Sequence, residues 1–364
     1  MKKTNSIIVL CTILFLFSGC NQQYKNINND VERETTQFLD IGNNIDSLLN
    51  IQYQNGKING NVLVIKDGST IYEKSFGYTD GSKESLLTKD FRFNIGSVFK
   101  EFPAVAIMQL SESKLIHLDD KIASYLPELP KWSEEISIKN LLQYSSGLPM
   151  IQWGEYFGKG LSISDEDIMK DLLNVDSLQF VPGTDYLYTN YSPVLLIKIV
   201  ERVTSIKFNE YIRTNLLLPF KLNGTILKDK YPYDDVTNMA IPFNSDGEND
   251  GYRLSISNIL LSCTASDMQN WFTQLDDFKI VSKESVKFLS KTAISEDNIQ
   301  APLGYSEWEN NELIEHAHHG SSGNYECLIQ HFKADNLIIV IMTNQKKKNV
   351  HEISNNIYNI VQKN

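Results

Sequence analysis

Ser97 and Lys100 stand three residues apart in Gly-Ser-Val-Phe-Lys, and a serine and a lysine at that spacing can do chemistry together. A neutral hydroxyl is a poor nucleophile until a base takes its proton. Residues i and i+3 share a helical face, so the amine lies within reach of the hydroxyl. Spacing alone decides nothing, because Ser111 and Lys114 repeat it. Two further short elements follow in order, Tyr188-Thr-Asn190 and His318-His-Gly320. Tyr-x-Asn recurs at Tyr24 and Tyr53, whereas His-x-Gly occurs once, and Lys291-Thr-Ala is a poor substitute for it. Singly, each has an ordinary explanation: a capping serine, a core tyrosine, a turn histidine. The ordered set carries the signal.

His316, His318 and His319 invite a metal reading, since alternate residues of a strand face one side. No carboxylate or cysteine stands at a helpful spacing and there is no HExxH, so we expect neither a metal nor another cofactor. Asp267 reads as a helix cap, and the acidic run at 245–250 as a solvated loop.

These residues need elements to hold them. Phe38, Ile41, Ile45, Leu48 and Leu49 recur at helical spacing. Two apolar runs around Asp67-Gly68 predict a hairpin, because Asp-Gly suits a positive-φ turn. A third strand should approach Ser97 through Phe91 and Phe93. From Ser97 to about residue 225 the pattern is mostly helical, with Pro103 expected to bend its helix or end the first turn. Ser192 and Pro193 read as the cap and first position of a helix after Asn190. Thr264 to Asp267 resembles a capping box. Strand patterns return at 326–331 and 337–342, and Ile353, Ile357, Ile360 and Val361 mark a closing helix. The simplest α+β arrangement is one antiparallel sheet built from both ends of the chain, flanked by the terminal helices, with a helical lobe inserted at about 97–255.

Residues 1–19 combine Lys2 and Lys3 with an apolar run from Ile7 to Phe17, a secretory pattern too short to span a bilayer. Ser18-Gly19-Cys20 resembles a bacterial lipobox, which implies cleavage before Cys20 and lipid on its thiol. Residues 20–33 would then be a polar tether, and 34–364 the catalytic domain. Resemblance to sorted lipoproteins, with Asn21 after Cys20, favours the outer membrane of the cell envelope, facing the periplasm or the surface. Membrane contact would thus come through the lipid on Cys20. A formal charge of −11 disfavours nucleic acid as a partner. Cys263 and Cys327 read as buried thiols that could also pair.

With Ser97-Val-Phe-Lys100, Tyr188-Thr-Asn190 and His318-His-Gly320 in order, the chain resembles the serine β-lactamases and penicillin-recognising D,D-peptidases. The nearest resemblance is to the class C-related group with D-aminopeptidases and esterases. "GNVLVIKDGSTIYEKSFGYTD", "LIHLDDKIASYLPELP" and "IKNLLQYSSGLP" are similar to further segments of that family, and "LLLPFKLNGT" is loosely so. The resemblance implies the β-lactamase/transpeptidase-like fold and an acyl-enzyme on Ser97. Lys100 beside Tyr188 would favour phenolate, so Tyr188 with Lys100 would take and return the proton. Asn190 would orient Lys100 and bind substrate. Backbone N–H groups of Ser97 and Ser321 would hold the oxyanion, and Gly320 would let substrate approach the strand. His318 takes the place of the family's cationic lysine and His319 that of its threonine, which weakens carboxylate recognition. That leans the reading to esters, amides or D-amino-acid peptides as small-molecule or peptide substrates, with β-lactam hydrolysis, or a penicillin-binding sensor of little turnover, as alternatives. Loops such as 149–165 and 226–252 would shape the pockets. Tyr144 replaces a family histidine at a position taken as structural.

Overall fold

The computed structural model describes residues 37–256, 260–292 and 300–363. The leader, Cys20 and the tether lie outside these residues. In chain order the strands are β1 (Gly60–Lys66), β2 (Ser69–Phe76), β3 (Phe93–Asn94), β4 (Ser162–Ser164), β5 (Ile226–Lys228), β6 (Arg253–Ser255), β7 (Leu260–Cys263), β8 (Tyr305–Glu309), β9 (Glu312–Ser322), β10 (Tyr325–Phe332) and β11 (Leu337–Thr343). Six of them form an antiparallel sheet in the order β2-β1-β11-β10-β9-β8. The hairpin between β1 and β2 turns at Asp67 and Gly68, both with positive φ (50° and 77°), as an Asp-Gly turn of matching twist requires.

Every residue of β11 is buried, because both faces of the sheet are covered. On the outer face Val62, Val64, Ile339 and Ile341 pack against Ile41, Ile45 and Leu49 of the first helix (residues 37–54) and Ile353 and Ile357 of helix Val350–Gln362. On the inner face Leu63, Ile329, Val340 and Met342 join the larger core under the helical part. The period-2 alternation of β1 and β11 thus sorts their side chains into two cores, each such side chain contributing about 1.5–3 kcal/mol by leaving water.

The helical lobe carries helices Glu101–Glu112, Asp165–Leu173 and Tyr191–Thr204 with shorter ones between. From 226 to 255 the chain forms short strands and loops, following the mostly helical stretch expected to run to about residue 225. The expected third strand is only Phe93–Asn94. It leaves Phe91 outside and pairs with β7 (Phe93↔Cys263, Asn94↔Ser262) in a separate three-stranded sheet. Thr264 Oγ1 accepts from the Asp267 N–H, half of the expected capping box, while the Asp267 carboxylate accepts from Thr225 Oγ1 instead. Cys263 and Cys327 are free, buried thiols.

Candidate active site

Chain direction changes sharply after β3. Asn94 Oδ1 accepts from the Gly96 N–H at 2.9 Å, and Gly96 adopts φ +54°, a conformation that suits glycine. A 3₁₀ turn, Gly96–Lys100, then runs into helix Glu101–Glu112. The turn brings Lys100 Nζ to 3.2 Å from Ser97 Oγ. Pro103 neither bends nor ends the helix. It sits in the first turn, where its missing N–H would have no intrahelical partner.

Strand β9 lies directly against this turn. A Cβ added to Gly320 would stand 2.0 Å from the Ile95 carbonyl oxygen and 2.9 Å from the Ser97 nitrogen. One added to Gly96 would stand 2.4 Å from the Ser321 nitrogen. Backbone therefore meets backbone here, and only glycines allow it. Gly96 was legible as the residue ahead of the serine, but its need appears only with β9 in place.

Lys100 is 8% exposed, and no carboxylate pairs with it among the described residues. Burial pushes its amine down to about 7. Its Nζ lies over the Tyr188 ring, 4.8 Å from the centroid. Burial pushes the Tyr188 phenol up to about 12; the Ser97 hydroxyl is near enough to offset this in part, but outside hydrogen-bond geometry, so the phenol oxygen is left without a partner. The phenol's shift runs opposite to that expected beside an ammonium. An ammonium would lower the phenol, but both groups are desolvated, and burial disfavours the charged form of each. The phenol is therefore neutral near pH 7, and the amine has a substantial neutral fraction there. Tyr144, with φ +51°, packs its ring 4.8 Å from that of Tyr188, which fits the structural part expected of it.

Asn190 precedes helix Tyr191–Thr204 and no hydrogen bond joins it to Lys100 among the described residues. The expected cap also differs. Thr189 Oγ1 accepts from the Tyr191 N–H, Pro193 is the third helical residue, and the Ser192 hydroxyl is buried without a partner.

His318 departs most from expectation. It is buried, and its Nδ1 donates to Glu101 Oε1 at 2.6 Å instead of facing the substrate space. Burial lowers its pKa, with Glu101 opposing, so it is neutral at pH 7. His319 points to the other face of the sheet, to Glu326 and His351. Behind His318 runs a buried polar network that the motifs did not reveal. Glu101 is fully buried and also accepts from Trp271 Nε1 at 2.7 Å. His316 donates from Nδ1 to Asp276 at 2.8 Å and from Nε2 to the Leu303 carbonyl at 3.0 Å. Two acceptors require two N–H groups, so His316 is an imidazolium. Burial opposes that charge, but Asp276 and Glu101 outweigh it and push His316 up to about 10. His331 closes the chain on Asp276 at 2.6 Å. These imidazoles are engaged by carboxylates, and among the described residues no group of histidine, cysteine and acidic side chains is arranged to hold a metal ion.

A cavity of about 400 Å³ opens beside Ser97. Its polar wall holds Asn94, Ser97, Lys100, Asn190, Ser321 and Ser322; Tyr188, His318 and Gly320 stand behind that surface. A nucleophile, a buried amine and a walled cavity between sheet and helical lobe define the β-lactamase/transpeptidase-like class of folds. The chain belongs to the beta-lactamase family of serine hydrolases, whose model matches residues 35–362. It is similar to a class C beta-lactamase (TM-score 0.70, 18% identity, 89% of this chain and 96% of that one). It is equally similar in fold to the D-amino acid amidase from Ochrobactrum anthropi SV3 (TM-score 0.69, 19% identity, 89% of this chain and 99% of that one). Protein flp of Staphylococcus aureus strain MW2 is 26% identical over 333 residues, 85% of this chain and 64% of that protein. The chain thus spans under two thirds of that relative's length.

Proposed function

We propose that the chain is an exported, lipid-anchored serine hydrolase acting through a Ser97 acyl-enzyme on small esters, amides or D-amino-acid peptides. One observation carries the chemistry: Ser97 Oγ lies 3.2 Å from a buried amine whose pKa is pushed down to about 7, at the edge of a cavity. Neutral Lys100 takes the Ser97 proton as the oxygen attacks the substrate carbonyl. The N–H groups of Ser97 and Ser321 meet the developing oxyanion. Lys100, with the protonated Tyr188 beside it, returns a proton to the leaving group. Asn190, on the cavity wall, binds a substrate amide or carbonyl. Water then cleaves the acyl-enzyme. Support for export and the anchor is in the sequence alone: Lys2-Lys3, the apolar run and Ser18-Gly19-Cys20. The shared fold with a class C beta-lactamase supports β-lactam hydrolysis as the second reading.

The test is hydrolysis of a short p-nitrophenyl ester by the full chain in detergent, beside Ser97→Ala. Steady turnover lost in the variant is expected. Activity that survives Ser97→Ala would sink the reading. A single equivalent of product followed by arrest would make the protein a sensor, and intact mass after penicillin would identify the trapped adduct.

A further inference from the structure

The wall of the cavity opposite Ser97 comes from the helical lobe and the strand near it: Ile151, Trp153, Phe157, Ile168, Tyr252 and Leu254. Apart from the Tyr252 hydroxyl and the Trp153 indole N–H the side chains of this surface are hydrocarbon and aromatic ring. Trp153 and Phe157 stack on one another, 6.0 Å between ring centres at 11°, and Phe157 lies 5.8 Å from Tyr252, so the aromatic part is a built surface. Among the described residues walling the cavity, Lys100 is the only one whose side chain can carry positive charge. Its amine is the buried base, and above pH 7 it is largely neutral. His318 adds no cation, since Glu101 holds it turned away.

An anionic group entering this space would lose water and find no counter-charge, which is costly. A saturated or aromatic group would lose only apolar surface, which is favourable. We infer that the cavity takes a bulky, uncharged, hydrophobic acyl group and discriminates against substrates carrying a free carboxylate on that side. The inference deepens the hydrolase reading and rests on it for the word acyl. The cavity assignment itself rests on the walls.

Binding to the Ser97→Ala full chain in detergent separates the two. Hexanoic acid benzylamide and adipic acid monobenzylamide differ chiefly by a terminal carboxylate, and calorimetry at pH 8 compares them with Lys100 largely neutral. The neutral amide should bind about tenfold or more tighter. Trp153→Ala should weaken it severalfold, and Val194→Lys should bring the carboxylate compound level or ahead. Val194 also walls the cavity; both residues are half-buried at the edge of the core, and circular dichroism checks that each variant is folded. With active enzyme, kcat/KM should climb about tenfold or more from p-nitrophenyl acetate to the hexanoate. Equal or tighter binding of the carboxylate, or no binding of the neutral amide at millimolar concentration, overturns the inference. If the amide binds as expected while no ester is turned over, the cavity assignment holds and the hydrolase reading is what fails.

Discussion

Lys100 and Tyr188 compete for the part of general base, and their environments decide between them. Burial lowers one toward about 7 and raises the other toward about 12, so at neutral pH only the amine has a substantial basic fraction. A lowered lysine pKa means the working neutral form grows as pH rises. We expect kcat/KM to increase through about pH 7 and level off above it, with no second rise before strongly alkaline pH. Lys100→Ala should cost about 10²–10⁴-fold and remove that limb, while Tyr188→Phe should cost about tenfold or less. Loss of the limb in Tyr188→Phe, with Lys100→Ala nearly active, would return the base to the phenol. The Ser97–Lys100 pair was legible in the sequence because it is local, three residues within one turn. Glu101 was not, although it is the very next residue. Its partners Trp271, His316 and His318 lie 170 or more positions away, and nothing local distinguishes a buried glutamate from a solvated one. The same distance hid the fate of His318. Its place in the motif was visible, but the carboxylate that turns it inward was not.

At the scale of elements, the site depends on β9 lying flat on the Gly96–Lys100 turn. Gly320→Ala would put a methyl carbon into the Ile95 carbonyl, and backbone would have to move to admit it. A shift of about 1 Å between Ser321 and Ser97 should lower kcat by roughly 10²-fold. The sheet itself should persist in circular dichroism, with the melting transition lowered by the cost of moving backbone. Wild-type turnover in Gly320→Ala would show that this contact does not align the site. The sequence foretold β10 and β11 as strands and placed the β1–β2 hairpin correctly, because alternation and Asp67-Gly68 are strong local signals. It overstated the strand before Ser97, since two aromatic residues at spacing two look like an edge. Only Phe93 and Asn94 pair with β7, while Arg92 makes an isolated bridge to Met239. The start of helix Tyr191–Thr204 was misjudged for a related reason. Serine and proline side by side suit a cap, yet the Thr189 hydroxyl reaches the Tyr191 N–H first.

For the whole molecule the governing fact is strand order. β11, the last strand, lies between β1 and β10, pairing Val62 with Ile341 on one side and Leu328 with Ile341 on the other. A chain ended after Asn336 would retain the serine, the lysine and β9, yet leave two long apolar strands with open edges in the middle of its sheet. We expect that fragment to aggregate in light scattering and to show no ester turnover; a monomeric, active fragment would overturn the expectation. That both ends of the chain build one sheet was legible, because the strand patterns cluster there. Which strand takes the central place was not, since alternation says nothing of neighbours. A consequence follows for how such a molecule comes into being. The keystone of the sheet is laid after every other described strand has been made. Closing it joins segments far apart in the chain, a slow and non-local step. Until then the serine has no finished vault around it. The nascent chain carries its nucleophile, from its synthesis until β11 emerges, as a blunt tool, sharpened only when that strand slides home.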